Sequence, residues 1–135
     1  MAVTPIKVLI ADDHPVVRVG LRNMLQSDGQ IKVVAEAKDG VEALHMVRTL
    51  RPDILLLDLA MPKMPGLEAL RELTNENGPT RAIVLTGQID KRQILEALQL
   101  GARGVLLKDA IGAHLSACIH AVMQGQYWLE GRPVQ

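Results

Sequence analysis

Three aspartates, a threonine and a lysine stand out because each closes or directly follows a short apolar run. Asp12 and Asp13 come after IKVLIA at 6–11, and Asp58 closes DILLLD at 53–58. Thr86 closes RAIVLT at 81–86, and Lys108 follows GVLL at 104–107. Apolar runs of this length, bounded by turn residues, read as strands buried on both faces. In an open parallel sheet, chemistry collects beyond the carboxyl ends of the strands, where the strand order reverses. Four strand ends then deliver three carboxylates, a hydroxyl and an ammonium to one edge. A strand end also turns polar simply because it reaches water. That accounts for any one of these residues, but poorly for the set, and least for an Asp that ends a continuous apolar strand.

Three carboxylates against one ammonium leave two net negative charges, which one divalent cation cancels. Mg²⁺ takes oxygen ligands in octahedral geometry and keeps some of its waters. Such a site can receive a phosphoryl group, because cation, lysine and hydroxyl each take a share of its oxygens. A carboxylate is itself a competent acceptor, giving an aspartyl phosphate. Asp58, on the middle strand, is better placed for this than Asp12 or Asp13.

The elements that must position these groups follow from the apolar rhythm. Strands are expected at 6–11, 31–37, 53–58, 81–86 and 104–107. Helices are expected between them and after the last. The first runs over 16–26 with Val17, Leu21, Met24 and Leu25 inward and Pro15 in its first turn. The second starts at Asp39 or Gly40, carries Ala43, Leu44, Val47 and Leu50, and is stopped by Pro52. The third starts at Pro65-Gly66 with Leu67, Leu70 and Leu73, and ends within 75–79. The fourth spans 90–100 with Ile94, Ala97 and Leu98 and is ended by Gly101. The fifth spans 111–123 with Leu115, Ile119, Val122 and Met123. Five strands alternating with five helices, joined by short right-handed connections, make a three-layer α/β sandwich. After Gly125 the periodicity is lost, so QYWLEGRPVQ reads as a frayed end or the start of a linker.

Composition narrows the function classes. The chain has 135 residues, enough for one domain with a real core. Apolar residues make up 48%, which excludes a disordered tail. Fifteen basic residues balance fifteen acidic ones, so bulk charge does not favour nucleic acid or an anionic membrane. Cys118 is the only cysteine, which excludes an intrachain disulfide and a Cys-rich zinc site; it reads as a small core residue. No apolar run is long enough to span a membrane. The amino end, MAVTPIKVLI, lacks the pattern of a secretory signal, so a reducing cytoplasm is expected. With no Phe, one Tyr and one Trp, the core must be aliphatic and offers no stacking platform for single-stranded nucleic acid. Met24, Met46 and Met123 sit at core-like spacings. His45, His114 and His120 read as surface or partly packed residues, and His14 as a loop residue near the acids without a direct role. Tyr127 and Trp128 either cap the core or form a docking surface.

Four segments in order carry a family pattern: ADDHPVVRVGL at 11–21, DLAMPKMPGLEAL at 58–70, VLTG at 84–87 and GARGVLLKD at 101–109. Over about residues 5–125 the chain resembles the receiver domain of bacterial two-component response regulators. Asp-Asp-His-Pro and Gly-Ala-Arg-Gly resemble the NarL/FixJ or LuxR-type subfamily, which joins a receiver to a C-terminal helix-turn-helix. The resemblance implies a flavodoxin- or CheY-like (βα)₅ fold with parallel strand order 2-1-3-4-5. It implies that Asp58 is the phosphoacceptor, Thr86 the switch hydroxyl and Lys108 the lysine that pairs with phosphoryl oxygen. It implies Mg²⁺ held by Asp13, Asp58 and the Ala60 carbonyl, and by Asp12 through water. Gly87 matches the small residue beside the threonine, and Met61-Pro62 and Pro65-Gly66 match the loop after the acceptor.

The domain reading that follows is a phosphoacceptor receiver over 1–125. Residues 126–135 are then a tail or the start of a linker to a helix-turn-helix DNA-binding domain absent from this chain. The expected function is a phosphorylation-controlled switch fed by a sensor histidine kinase, turning over no separate substrate. It would form a homodimer on phosphorylation, meet DNA only through the absent domain, and not involve a membrane. One position departs from the pattern: Val105 stands three residues before Lys108, where many receivers carry Tyr or Phe. That favours, as an alternative, a phosphorylation-independent receiver acting through protein contacts, against which the complete set of Asp12, Asp13, Asp58, Thr86 and Lys108 argues; a stand-alone receiver is the other alternative. A metal-dependent phosphatase with an Asp nucleophile is remote, because its second Asp would fall at Ala60. A flavin carrier is disfavoured by Asp-Asp-His-Pro after the first strand and by the lack of aromatics. Ala60 and Gln88 supply neither acid nor base beside the acceptor, so self-dephosphorylation is expected to be slow to moderate.

Overall fold

Alternation of apolar strands and amphipathic helices produces one sheet between two helical layers. In the computed structural model, which describes residues 4–88 and 90–135, the elements are β1 (Ile6–Ala11), α1 (Pro15–Gln26), β2 (Ile31–Ala37), α2 (Gly40–Leu50), β3 (Ile54–Asp58), α3 (Gly66–Asn75), β4 (Arg81–Thr86), α4 (Lys91–Gln99), β5 (Gly104–Leu107), α5 (Ile111–Met123), β6 (Tyr127–Leu129) and β7 (Arg132–Val134). The sheet order is β2-β1-β3-β4-β5-β6-β7. Its first five strands are parallel and keep the expected order 2-1-3-4-5. The amino end read as lacking a secretory signal includes residues 1–3, which lie outside the described residues. Among the described residues, no helix is long and apolar enough to cross a membrane.

β3 is buried along its whole length, and its side chains divide between the two cores. Leu55 and Leu57 pack with Leu9, Val84, Leu70 and Ala97 on the side of α2, α3 and α4. Ile54 and Leu56 pack with Ile10, Ile83, Leu21 and Ile119 on the side of α1 and α5. A one-residue slip would exchange the two sets, so apolar burial on both faces holds the register. Asp39 caps α2 by accepting the Glu42 N–H at 2.8 Å, and Asp90 caps α4 by accepting the Gln93 N–H at 3.2 Å.

Several boundaries and side chains differ from expectation. Asp53 lies outside β3; its carboxylate instead accepts the Lys7 N–H at 2.9 Å. Met24 and Leu50, expected inward, are exposed, because each lies at the edge of its helix's apolar stripe rather than over the sheet. His120 is not isolated. Its Nε2 lies 2.8 Å from Asp28 Oδ2, which also accepts the Ser116 hydroxyl. Those hydrogen bonds and the Gln30 N–H hold the Asp28 carboxyl below its ordinary value.

The segment after Gly125 is not frayed. β6 pairs parallel to β5 through Gly104 and Trp128, and β7 returns antiparallel. Glu130 and Gly131 take positive φ at the turn, as a tight hairpin requires. Pro133 on the outer strand lacks an N–H, which blunts the sheet edge. Trp128 is buried against the α1/α5 core with its ring 5.7 Å from that of His114. The Trp128 indole N–H has no partner.

Two outcomes follow for urea unfolding. Trp128→Ala should cost about 3 kcal/mol or more, as large buried aromatics do when truncated, while Trp128→Phe should cost distinctly less because it removes an unpaired donor. Asp28→Ala should cost about 1–2 kcal/mol at neutral pH, from hydrogen bonds lost by Ser116 and His120. A depressed folded value means this stability is present above the ordinary 3.8 and disappears as pH falls through the lower folded value, so the two proteins should converge in acid.

Candidate functional site

Strand register brings the acids together. Ala11 pairs with Leu57, so Asp12 and Asp58 leave neighbouring strands side by side. Thr86 pairs with Leu107, so Lys108 emerges next to it on the following strand. The Asp12 N–H donates to the Ala37 carbonyl at 3.0 Å, which holds the β1 exit to β2. After β3 the chain folds back closely: a Cβ on Gly66 would lie 2.6 Å from the Asp58 carbonyl oxygen. A Cβ on Gly40 would lie 2.5 Å from the Met64 carbonyl oxygen. Both positions need glycine because backbone passes where a side chain would stand. The Met64 N–H donates to the Pro62 carbonyl at 2.8 Å across Lys63, whose φ is 67°. Backbone strain in this loop therefore sits at Lys63, while Pro62 keeps ordinary negative φ.

Asp12 and Asp58 are buried, at 0% and 2% exposure, while Asp13 is half-buried. Lys108 Nζ lies 3.2 Å from Asp12 Oδ2 and 3.3 Å from Asp58 Oδ2. These are ionic contacts off the hydrogen-bond axis, and neither oxygen has an aligned donor. Asp58 Oδ1 accepts the Ala60 N–H at 3.1 Å. Burial pushes the Asp58 carboxyl above its ordinary value, the Ala60 N–H opposes this, and the Asp12 charge adds to the rise. Burial alone would lower Lys108, but Asp58 and Asp12 together hold it above the ordinary lysine value. Thr86 is buried, and its hydroxyl donates to the Gln88 carbonyl at 3.1 Å rather than to Asp58. Val105, also buried, packs on the α2–α4 side and fills the position with an aliphatic group.

The strand ends thus bring together Asp12, Asp13, Asp58 and Lys108, with Thr86 one strand over. His14 joins them: the sequence reading placed it near the acids without a direct role, and the structure brings its ring into contact with Asp12 and Asp13. Ligand atoms from Asp12, Asp13, His14 and Asp58 all lie within 4.8 Å of one another. The available signal was His14's place at the start of α1, directly after two acids. Buried carboxylate oxygens without aligned donors suit a hard divalent cation. A groove of about 420 Å³ lined by Thr74, Arg81, Arg103 and Tyr127 lies at the opposite edge and shares no residue with the acids.

Residues 8–120 match the family described as the response regulator receiver domain. The chain belongs to that family. It is 40% identical over 124 residues to the transcriptional regulatory protein YdfI of Bacillus subtilis (strain 168), covering 92% of this chain and 58% of that one. It is 35% identical over 122 residues to the nitrate/nitrite response regulator protein NarL of Escherichia coli (strain K12), covering 90% and 56%. A two-component response regulator of the LuxR family from Aurantimonas sp. SI85-9A1 superposes with a TM-score of 0.88 at 32% identity, covering 93% of this chain and 90% of that one. The relatives are of the NarL/LuxR type, and this chain spans a little over half the length of the two curated ones.

The raised Asp58 value has a consequence for stability. The folded protein binds more protons than the unfolded chain just above pH 3.8, so stability falls as pH rises through that window. In metal-free buffer at neutral pH, Asp58→Asn should therefore gain on the order of 1 kcal/mol, read as a higher Tm by circular dichroism. The gain should shrink as the pH is lowered toward 3.8.

Proposed function

We propose that this chain is the phosphorylation-controlled switch of a two-component system and that Asp58 is its acceptor. The observation that carries this is the Asp58 carboxylate: buried, facing Lys108 across 3.3 Å, with one oxygen free of aligned donors. A carboxylate oxygen attacks the phosphorus of a phosphohistidine donor on the sensor kinase, and the phosphorus–nitrogen bond breaks. Asp13, Asp58 and the Ala60 carbonyl would hold Mg²⁺, with Asp12 in support through water. When bound, the ion would supply positive charge to phosphoryl oxygens and relieve repulsion among the acids. Lys108 pairs with a phosphoryl oxygen once the contact to Asp58 is given up.

Thr86 carries the signal outward. Its hydroxyl leaves the Gln88 carbonyl for a phosphoryl oxygen, which pulls the β4–α4 loop toward the site. Val105 offers no aromatic ring to follow it, so the response is confined to aliphatic repacking against α4 and β5. Ala60 and Gln88 give no acid or base to an attacking water, which supports slow to moderate loss of the phosphoryl group. The output is a changed surface rather than turnover of a separate substrate. By likeness to relatives named as a transcriptional regulatory protein and a response regulator, that surface would control a helix-turn-helix domain of a longer protein, with homodimer formation on phosphorylation. The site of action is the cytoplasm. Cys118, buried with its thiol pushed up to about 12, remains an inert core residue there.

Incubation with Mg²⁺ and acetyl phosphate should add about 80 Da to the intact mass, the increment of one phosphoryl group. The gain should vanish in Asp58→Ala and without Mg²⁺. A folded, Mg²⁺-binding protein that gains no mass from either acetyl phosphate or a cognate kinase would sink the acceptor assignment.

A further inference from the structure

Among the described residues, the His14 ring has one hydrogen-bond partner, the Asp12 carboxylate. His14 is the N-cap of α1, yet it makes no side-chain capping hydrogen bond. Its ring is 60% exposed and leans over the acids, with Nδ1 3.0 Å from Asp12 Oδ1 and 3.2 Å from Asp13 Oδ1. Asp12 Oδ1 already accepts the His14 backbone N–H at 2.9 Å. Adjacent ligands of an octahedral ion with bonds of about 2.1 Å stand about 3.0 Å apart, so the 3.2 Å between His14 Nδ1 and Asp13 Oδ1 fits an octahedral edge. Asp12 Oδ2 and Asp58 Oδ2, buried and without aligned donors, face the Lys108 ammonium, whose single positive charge does not balance the three acids of the pocket.

We propose that His14 is a direct nitrogen ligand of the divalent cation, making the pocket favour late first-row ions such as Ni²⁺ and Co²⁺ over Mg²⁺. This rests on the reading that the acids hold a cation, and adds a donor to it. A neutral imidazole offers one lone pair, which Mg²⁺ values little and Ni²⁺ values highly. The two ions share octahedral preference, so the difference between them isolates the nitrogen. The competing arrangement has the imidazole N–H donating to Asp12 Oδ1 and never touching the ion.

The test uses the full chain without an affinity tag. Mn²⁺ is the spectroscopic probe, and pulsed electron paramagnetic resonance reads nitrogen bound directly to it. Wild type should show that coupling, and His14→Gln should lose it. By calorimetry, His14→Gln should weaken Ni²⁺ binding about tenfold or more and Mg²⁺ binding by less than about threefold. Mn²⁺ bound without directly coupled nitrogen, or equal weakening of Ni²⁺ and Mg²⁺, overturns the His14 assignment and leaves the acid site standing. No binding of any of these ions by folded wild type overturns both.

Discussion

The arrangement turns on like charge held in a small, largely buried space. Asp12 and Asp58 are buried at adjacent strand ends, Asp13 stands beside them, and one half-buried lysine faces the first two. Carboxylates confined this way repel, and the fold tolerates them because the sheet is held elsewhere. The apolar bodies of β1, β3 and β4 are buried on both faces, so their register cannot relax to separate the acids. The electrostatic strain is local, while the burial that sustains it is spread over the whole core.

The surrounding backbone keeps that pocket open on one side. Gly66 and Gly40 let the β3–α3 loop pass close to the end of β3 and the start of α2. Lys63, at positive φ, turns the loop, and its ammonium lies 3.6 Å from Asp39 Oδ2. Across the site, Thr86 spends its hydroxyl on its own loop. In the proposed switch, gaining a phosphoryl contact means losing the Gln88 contact, so the hydroxyl has two discrete partners rather than a graded response. An aliphatic Val105 leaves that choice to the β4–α4 loop alone.

Away from the acids, two features tie the layers together. Asp28, in the loop before β2, binds Ser116 and His120 one turn apart on α5. The β6–β7 hairpin extends the sheet and puts Trp128 against α5. Both act on α5, which begins three residues after Lys108. Stability at the far side of the sheet thus bears on the helix that follows the lysine.

Much of this was legible in residue order. The apolar rhythm alone gives five strands and five helices with nearly correct ends, since strands buried on both faces leave an unbroken apolar trace. Asp58 was legible because a charge at the end of such a run is costly to bury without purpose. The parallel order and the convergence of Asp12, Asp13, Asp58, Thr86 and Lys108 follow from how such units wind. The hairpin was not legible: three-residue strands are too short for periodicity to register, and only contact with β5 and α5 orders them. Met24 and Leu50 escaped because helical spacing gives a stripe but not its angular limit. That His14 lies near the acids was legible, but the contact of its ring with two carboxylates depends on the angle at which α1 leaves β1. That angle is set by packing of α1 on the sheet, which only the tertiary structure decides.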